Sequence, residues 1–311
     1  MAAVDGRRVV RVRVPASAAN LGPGFDCLGM ALGLYHRLTV TEEPGTGMEV
    51  SVRGEGAGQV PLGGANLVAQ ALQQALDQSG HRPGRLRLSC SNEIPLACGL
   101  GSSAAAVVAG LAAGLLLAGR LDRHRLIEMA VAAEGHPDNA VPCVLGGITA
   151  AVHAAGGVHW VRLAPPSGLR AVVAVPDFHL PTQEARAVLP GEVTFADAVA
   201  NVGRTGLLVA ALAAGRLEVL QTAMEDRLHE PYRAQLVPGL AQVRQAALEA
   251  GALGTALSGA GPAVLALVQG EAGGVGPAME QAWSSRGVRA RSLPLEVDTA
   301  GLVGECVHEE T

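Results

Sequence analysis

A turn-forming stretch, Pro95-Leu96-Ala97-Cys98-Gly99-Leu100-Gly101-Ser102-Ser103, runs without a break into an apolar segment that begins Ala104-Ala105-Ala106. Glycine takes positive φ without strain and alanine is the best helix former, so this order predicts a glycine loop followed directly by a helix. Ser102 or Ser103 is expected to cap that helix. A helix N-terminus leaves several N–H donors unpaired and carries partial positive charge, which suits an anion. Residues 95–105 are therefore the candidate cradle for a phosphate, and the rest of the chain is read for what would serve it.

The composition agrees with such a cradle by what it lacks. All twenty-three basic residues are arginine. Without lysine there is no Walker-A lysine, no strand lysine of the protein-kinase type and no Schiff base. A net charge of −5 and an aromatic content of 2% argue against nucleic acid as a partner. The first residues alternate valine with arginine, and no uninterrupted apolar run reaches the length of a membrane span, so a soluble, cytoplasmic protein without a membrane partner is expected. Cys27, Cys90, Cys98, Cys143 and Cys306 form no C-x-x-C pair and are odd in number, which indicates neither a zinc site nor a disulfide frame.

A length of 311 residues predicts two domains. Pro165-Pro166-Ser167-Gly168 is the best linker candidate, giving domains 1–166 and 167–311. In the first, strands are expected at 8–14, 28–40, 48–52 and 85–90, a helix at 66–78, a second helix at 122–133 and a hairpin around Gly156-Gly157. Glu134-Gly135-His136-Pro137-Asp138-Asn139-Ala140-Val141-Pro142 reads as a second functional loop. In the second domain a strand at 170–175 is followed by a short helix at 182–188. A mainly helical region covers 195–250, and strands and a helix then follow a glycine turn at 258–261. This mixture is α+β. The tail from Thr299 is expected to be loose.

Three glycine-bearing segments occur in order. They are Pro15-Ala16-Ser17-Ala18-Ala19-Asn20-Leu21-Gly22-Pro23-Gly24-Phe25-Asp26, then residues 95–105, then Leu257-Ser258-Gly259-Ala260-Gly261-Pro262. Together they resemble the three motifs of the GHMP small-molecule kinases. Glu134-Gly135-His136-Pro137-Asp138-Asn139, Thr182-Gln183-Glu184-Ala185-Arg186 and Asp226-Arg227-Leu228-His229-Glu230-Pro231-Tyr232-Arg233 resemble the homoserine kinase branch of that group. The likeness spans nearly the whole chain. It implies an N-terminal domain like ribosomal protein S5 domain 2, a ferredoxin-like C-terminal domain, and transfer of the γ-phosphoryl group of ATP to the side-chain hydroxyl of L-homoserine.

By resemblance, Ser103 and Glu134 are the Mg²⁺ ligands, with Ser102 the alternative to Ser103; one or two protein oxygens are usual for that ion. Arg186 and Arg233 match the positions that grip the substrate carboxylate, which a planar guanidinium does through two parallel hydrogen bonds. Asp26 and Asn20 offer oxygens to the ammonium, and Thr182 and Gly259 complete the substrate contacts. Asn139 stands where other members of the group carry a catalytic aspartate. It cannot take a proton, so it is expected to position the hydroxyl, leaving His136 and Asp138 either to shape the loop or to accept a proton. Two rival readings stay open, a kinase of another small alcohol and, from the partial G-x-G-x-x-A match at Gly99 to Ala104, a dinucleotide-binding oxidoreductase. Monomer and homodimer are both open.

Overall fold

The computed structural model describes residues 7–271 and 273–309. The first sheet is built from β1 (Arg7–Ala19), β2 (Leu28–Glu43), β3 (Met48–Gly54), β4 (Arg85–Asn92), β5 (Ile148–Ala154) and β6 (Gly157–Leu163). α1 (Leu67–Ser79), α2 (Ser102–Leu117), α3 (Arg123–Glu134) and α4 (Pro137–Leu145) accompany it. β7 (Leu169–Pro176) opens the second sheet. It is followed by α5 (Thr182–Ala187), α6 (Phe195–Ala214), α7 (Leu220–Ala223), α8 (Glu230–Arg233), α9 (Leu240–Glu249), β8 (Gly254–Leu257), β9 (Val264–Gln269), α10 (Val275–Ser284) and β10 (Ala290–Glu296). The last strand, β11 (Val303–Glu309), returns to the first sheet and pairs antiparallel with β1.

The first sheet runs β11-β1-β2-β4-β3, with β5 paired to β2 and β6 to β5; β3 and β4 are its parallel pair. The even residues of β1, Val10, Val12 and Val14, face the core while Arg11 stays exposed, as a period of two requires. α2 is apolar on every side and is buried on nearly every side, the place a helix of that composition must take. It crosses α1 closely enough that a Cβ at Gly110 would lie 2.4 Å from the Val68 carbonyl oxygen. The second sheet runs β10-β7-β9-β8 and is antiparallel throughout. In β7, Ala171 and Val173 join the main core, whereas Val172 and Ala174 join a second core with Trp283 of α10. Both faces are covered, so that strand reads as continuous apolar sequence.

Two expectations are corrected here. The tail is not loose, because residues 303–309 form β11, which pairs antiparallel with residues 7–13 of β1. Nor is 134–142 an open loop. Gly135, at φ 85, ends α3, and Pro137 occupies the first turn of α4, where its missing N–H costs nothing. α6 is long and apolar enough, by length and composition, to cross a membrane, yet its inner face is fastened to the protein through Asn201 and Thr205.

The α1/α2 crossing generates a stability prediction. Gly110→Ala should lower the unfolding free energy by about 1–3 kcal/mol through overpacking against the Val68 carbonyl, measured by urea denaturation; an unchanged midpoint would mean that the helices separate without cost.

Candidate active site

The glycine loop is shaped by what holds its carbonyl groups. The Leu96 carbonyl lies 3.0 Å from His179 Nδ1 and accepts from the Cys98 thiol. That of Ala97 accepts from Leu180 N–H at 3.1 Å, that of Cys98 from Ala263 N–H at 3.3 Å, and that of Leu100 from Ser17 N–H at 3.1 Å. Gly99 O accepts from the Ser258 hydroxyl at 2.7 Å. Five successive carbonyls are thus tied down, while among the described residues the N–H groups of 97–104 have no backbone acceptor. Gly99 and Gly101 have φ of 77° and 66°. A Cβ would lie 1.9 Å from the Ser258 carbonyl oxygen in the first case and 2.1 Å from Ser17 Oγ in the second, so both positions exclude any larger residue.

Gly101, not a serine, is the N-cap of α2, and no side chain caps that helix. The expected serine cap is therefore corrected: with glycine at the cap, Ser102 and Ser103 become the first helical residues. The Ser103 hydroxyl instead donates to Glu134 Oε1 at 2.8 Å. Burial pushes the Glu134 carboxyl up, and the bond from Ser103 opposes only part of that shift. On α4, Asp138 is buried and its Oδ1 meets His136 Nδ1 at 2.7 Å. That bond holds the imidazole above its ordinary range despite partial desolvation. Asn139 Oδ1 accepts from the Ser17 hydroxyl at 2.8 Å, so the group Asn139 has left to offer is its NH₂ donor.

The early loop closes the other side. Asn20, Leu21 and Asp26 all have positive φ. Asn20 Oδ1 accepts from Asp26 N–H at 3.0 Å, and its amide donates to Gly259 O at 2.8 Å. Asp26 binds Arg186 through both carboxylate oxygens, at 2.7 and 3.1 Å. Arg233 is buried; it donates to the carbonyls of Ala185 and Gly259 and lies 3.0 Å from His229 Nδ1. His229 Nε2 faces the Gly22 carbonyl at 2.8 Å, which assigns the ring proton to Nε2 and leaves Nδ1 to accept from the guanidinium. The Phe25 ring stacks on His229 at 5.0 Å and lies beneath both guanidinium groups, at 5.5 Å from Arg186 and 5.3 Å from Arg233. Burial, then repulsion from Arg186, lowers the Arg233 pKa, whereas the bond to Asp26 raises that of Arg186.

The loop and the side chains it faces line one cavity of about 300 Å³, with Ser17 and His229 behind them, holding Asn139 and Arg233. It receives the loop from Pro95 to Ala104 except Leu96, together with Asn20, Asp26, Glu134, His136, Asp138, Asn139, Thr182, Arg186, Arg233 and Gly259. Leu96 lines a neighbouring cleft of about 380 Å³ instead, and the two spaces meet at Ala97, Ser102, Ser103 and Thr182. Ala105 follows them inside α2, fully buried. The second cleft is walled by Val60, Leu67, Val68, Leu96 and Ala106. Sequence reasoning missed it, because its residues come from four separate stretches with no common pattern. It also missed Phe25, which lines the cavity, and Ser17 and His229, which hold Asn139 and Arg233 from behind, although all three sit inside segments the motifs had already marked.

A glycine cradle at a helix start, set between a mixed sheet and an antiparallel one, defines a class: the chain belongs to the GHMP kinases. Their N-terminal domain model matches residues 66–147 and their C-terminal model residues 208–285. Within that class it falls in the homoserine kinase family. It is 46% identical to the homoserine kinase of Moorella thermoacetica over 89% of this chain and 94% of that one. With that of Microchaete diplosiphon it shares 44% identity over 94% and 96% of the two chains. The solved homoserine kinase of Cytophaga hutchinsonii superposes with a TM-score of 0.87 at 30% identity, covering 98% of this chain and 99% of that one. A mevalonate kinase from L. major, TM-score 0.71 and 16% identity over 96% and 99%, shares the fold alone.

His136 supplies a pH prediction. Its folded pKa is raised from 6.5, so the His136–Asp138 bond stabilises the fold fully below pH 6.5, and that contribution fades as pH rises through the raised value. NMR titration should find His136 above 6.5, and Asp138→Asn should bring it back toward that value; equal pKa values in the two proteins would dismiss the bond as its cause.

Proposed function

We propose that this protein transfers the γ-phosphoryl group of ATP to the side-chain hydroxyl of L-homoserine, and that the Asp26–Arg186 pair is the observation that carries the choice of acceptor. The two charges hold each other in the cavity. A zwitterionic amino acid answers both at once, its ammonium on Asp26 and its carboxylate on Arg186 with Arg233 behind it. A carboxylate without an ammonium would strip Asp26 of its partner and give nothing in exchange. The His136–Asp138 pair lies beside Asp26, with a ligand atom of each of the three residues within 4.8 Å of the others, and deepens the negative end of the site.

ATP is the expected donor for a GHMP kinase. The triphosphate is assigned to the free N–H groups at the start of α2 and the base to the apolar cleft beside it, since a flat heterocycle fits between aliphatic side chains while its phosphates reach the loop. Ser103 and Glu134 present two hard oxygens side by side at the first turn of α2, a donor set that fits magnesium. Bound there, the ion would neutralise phosphate charge as it develops. Asn139, with its oxygen engaged by Ser17, donates to the reacting oxygens and takes no proton. Phosphoryl transfer through a loose transition state depends on alignment and charge more than on a strong base, so such a site can be sufficient. Asn20, Thr182 and Gly259 frame the acceptor, Asn20 chiefly by keeping the early loop shut against Gly259.

Turnover with homoserine, mevalonate, shikimate and galactose under MgATP tests the reading directly; homoserine should lead, and better turnover of mevalonate would overturn it. Arg186→Ala should raise KM for homoserine at least about tenfold while KM for ATP moves little. Glu134→Gln should depress kcat about a hundredfold at saturating substrates.

A further inference from the structure

The apolar cleft beside the glycine loop carries a polar atom that the fold leaves unsatisfied. His36, on β2, borders the cleft and is 5% exposed, and its Nε2 is buried without a hydrogen-bond partner. Among the described residues it is the one such atom on a residue that borders either of the two joined cavities. A buried nitrogen left unpaired loses its hydration and gains nothing in exchange, which marks a place where a ligand atom would make up the loss. Other polar side chains around the cleft are committed elsewhere. Asn66 caps α1 through its Oδ1 and donates to the Pro61 carbonyl, and Glu55 pairs with Arg291. Ser102, Ser103 and Thr182 stand where the cleft meets the phosphate cavity, whereas His36 borders the cleft alone.

The tautomer of His36 follows from its neighbour. Asn92, opposite it on β4, is its hydrogen-bond partner. The Asn92 amide nitrogen donates to the carbonyls of Glu55 and Ile94, at 3.1 and 2.9 Å, and its Oδ1 accepts from Ile94 N–H at 3.1 Å. With both amide protons engaged, Asn92 can offer His36 only its oxygen. The imidazole proton is therefore on Nδ1, toward Asn92, and Nε2 presents a bare lone pair. Burial pushes the ring pKa down to about 4, so the ring is uncharged at neutral pH.

A lone pair beside an apolar slot calls for a donor on the edge of a flat heterocycle. Adenine carries an exocyclic amine, whereas guanine and hypoxanthine carry a carbonyl oxygen at the same place, which would set one acceptor against another. We propose that His36 selects the nucleotide: its Nε2 accepts a hydrogen bond from the exocyclic amine of the base, so that the cleft takes an aminopurine and refuses an oxopurine. This rests on the placement of the base in that cleft under the proposed function. To apolar walls that would hold any purine it adds a group that tells purines apart.

Calorimetric titration of the full chain with ADP, inosine diphosphate and purine riboside diphosphate, each with Mg²⁺, tests the assignment. ADP should bind about tenfold or more tightly than either of the others, since a site built to pair with an amine rejects the analogue that lacks it. His36→Leu should weaken ADP by about the same factor, leave purine riboside diphosphate unchanged and so level the two. Should that variant fail to fold, nitrogen NMR of the imidazole in the parent protein decides the matter: the proton should sit on Nδ1, and ADP should shift Nε2 while purine riboside diphosphate does not. Equal binding of ADP and purine riboside diphosphate by the parent, a preference for ADP that survives His36→Leu, or an Nε2 signal that ADP leaves in place would each overturn the inference. Homoserine turnover separates it from the reading on which it rests. Equal kcat/KM for ATP and inosine triphosphate would refute the role of His36 and leave the kinase standing, whereas no transfer from any nucleoside triphosphate would remove both.

Discussion

The tethering of five consecutive carbonyl groups in the glycine loop is the constraint on which the site depends. A peptide plane has only one orientation to give, so fixing the oxygen on one side fixes the N–H on the other. Leu180, Ser258 and Ala263 supply three of those anchors from the second sheet's side of the molecule, and Ser17 supplies another from the end of β1. The anion cradle is therefore not a property of the loop alone. It exists because two sheets are packed against each other, and the same bonds that join them aim the donors. Under the proposed function, a chain without lysine would hold its triphosphate on main-chain dipoles that are oriented in advance and lose no side-chain entropy.

The acceptor side uses a different principle. Asp26 and Arg186 are half-exposed, so their mutual attraction is moderate and a ligand can compete with it. Arg233 is buried and held by two carbonyls and a histidine, so it stays where it is. One movable pair beside one fixed cation suits a substrate that brings both signs of charge. Phe25 lies under both guanidiniums and against His229, so one aromatic ring keeps these three groups in register.

Local features were legible in the sequence and distant ones were not. The glycine loop, α1 and the short α5 follow from neighbouring residues and were placed to within a few positions, although Asn66, read as the first helical residue, is the cap of α1. α4 was not, because two prolines within six residues suggest a loop. Pro142 is tolerated inside that helix since the Asp138 carbonyl it cannot serve lies against Gly29, where no side chain intervenes. The motif comparison brought Asp26 and Arg186 into one site, yet nothing in the sequence said that residues 160 positions apart would grip each other before any ligand arrives. The apolar cleft was invisible for the same reason: only the fold assembles it.

The pairing of β11 with β1 carries a consequence for biosynthesis. β1 leaves the ribosome long before β11, the strand that covers its outer edge. Throughout translation that edge offers open N–H and C=O groups to any other extended chain. Its alternating arginines, which repel a second copy of themselves, would guard the nascent sheet until its own closing strand arrives.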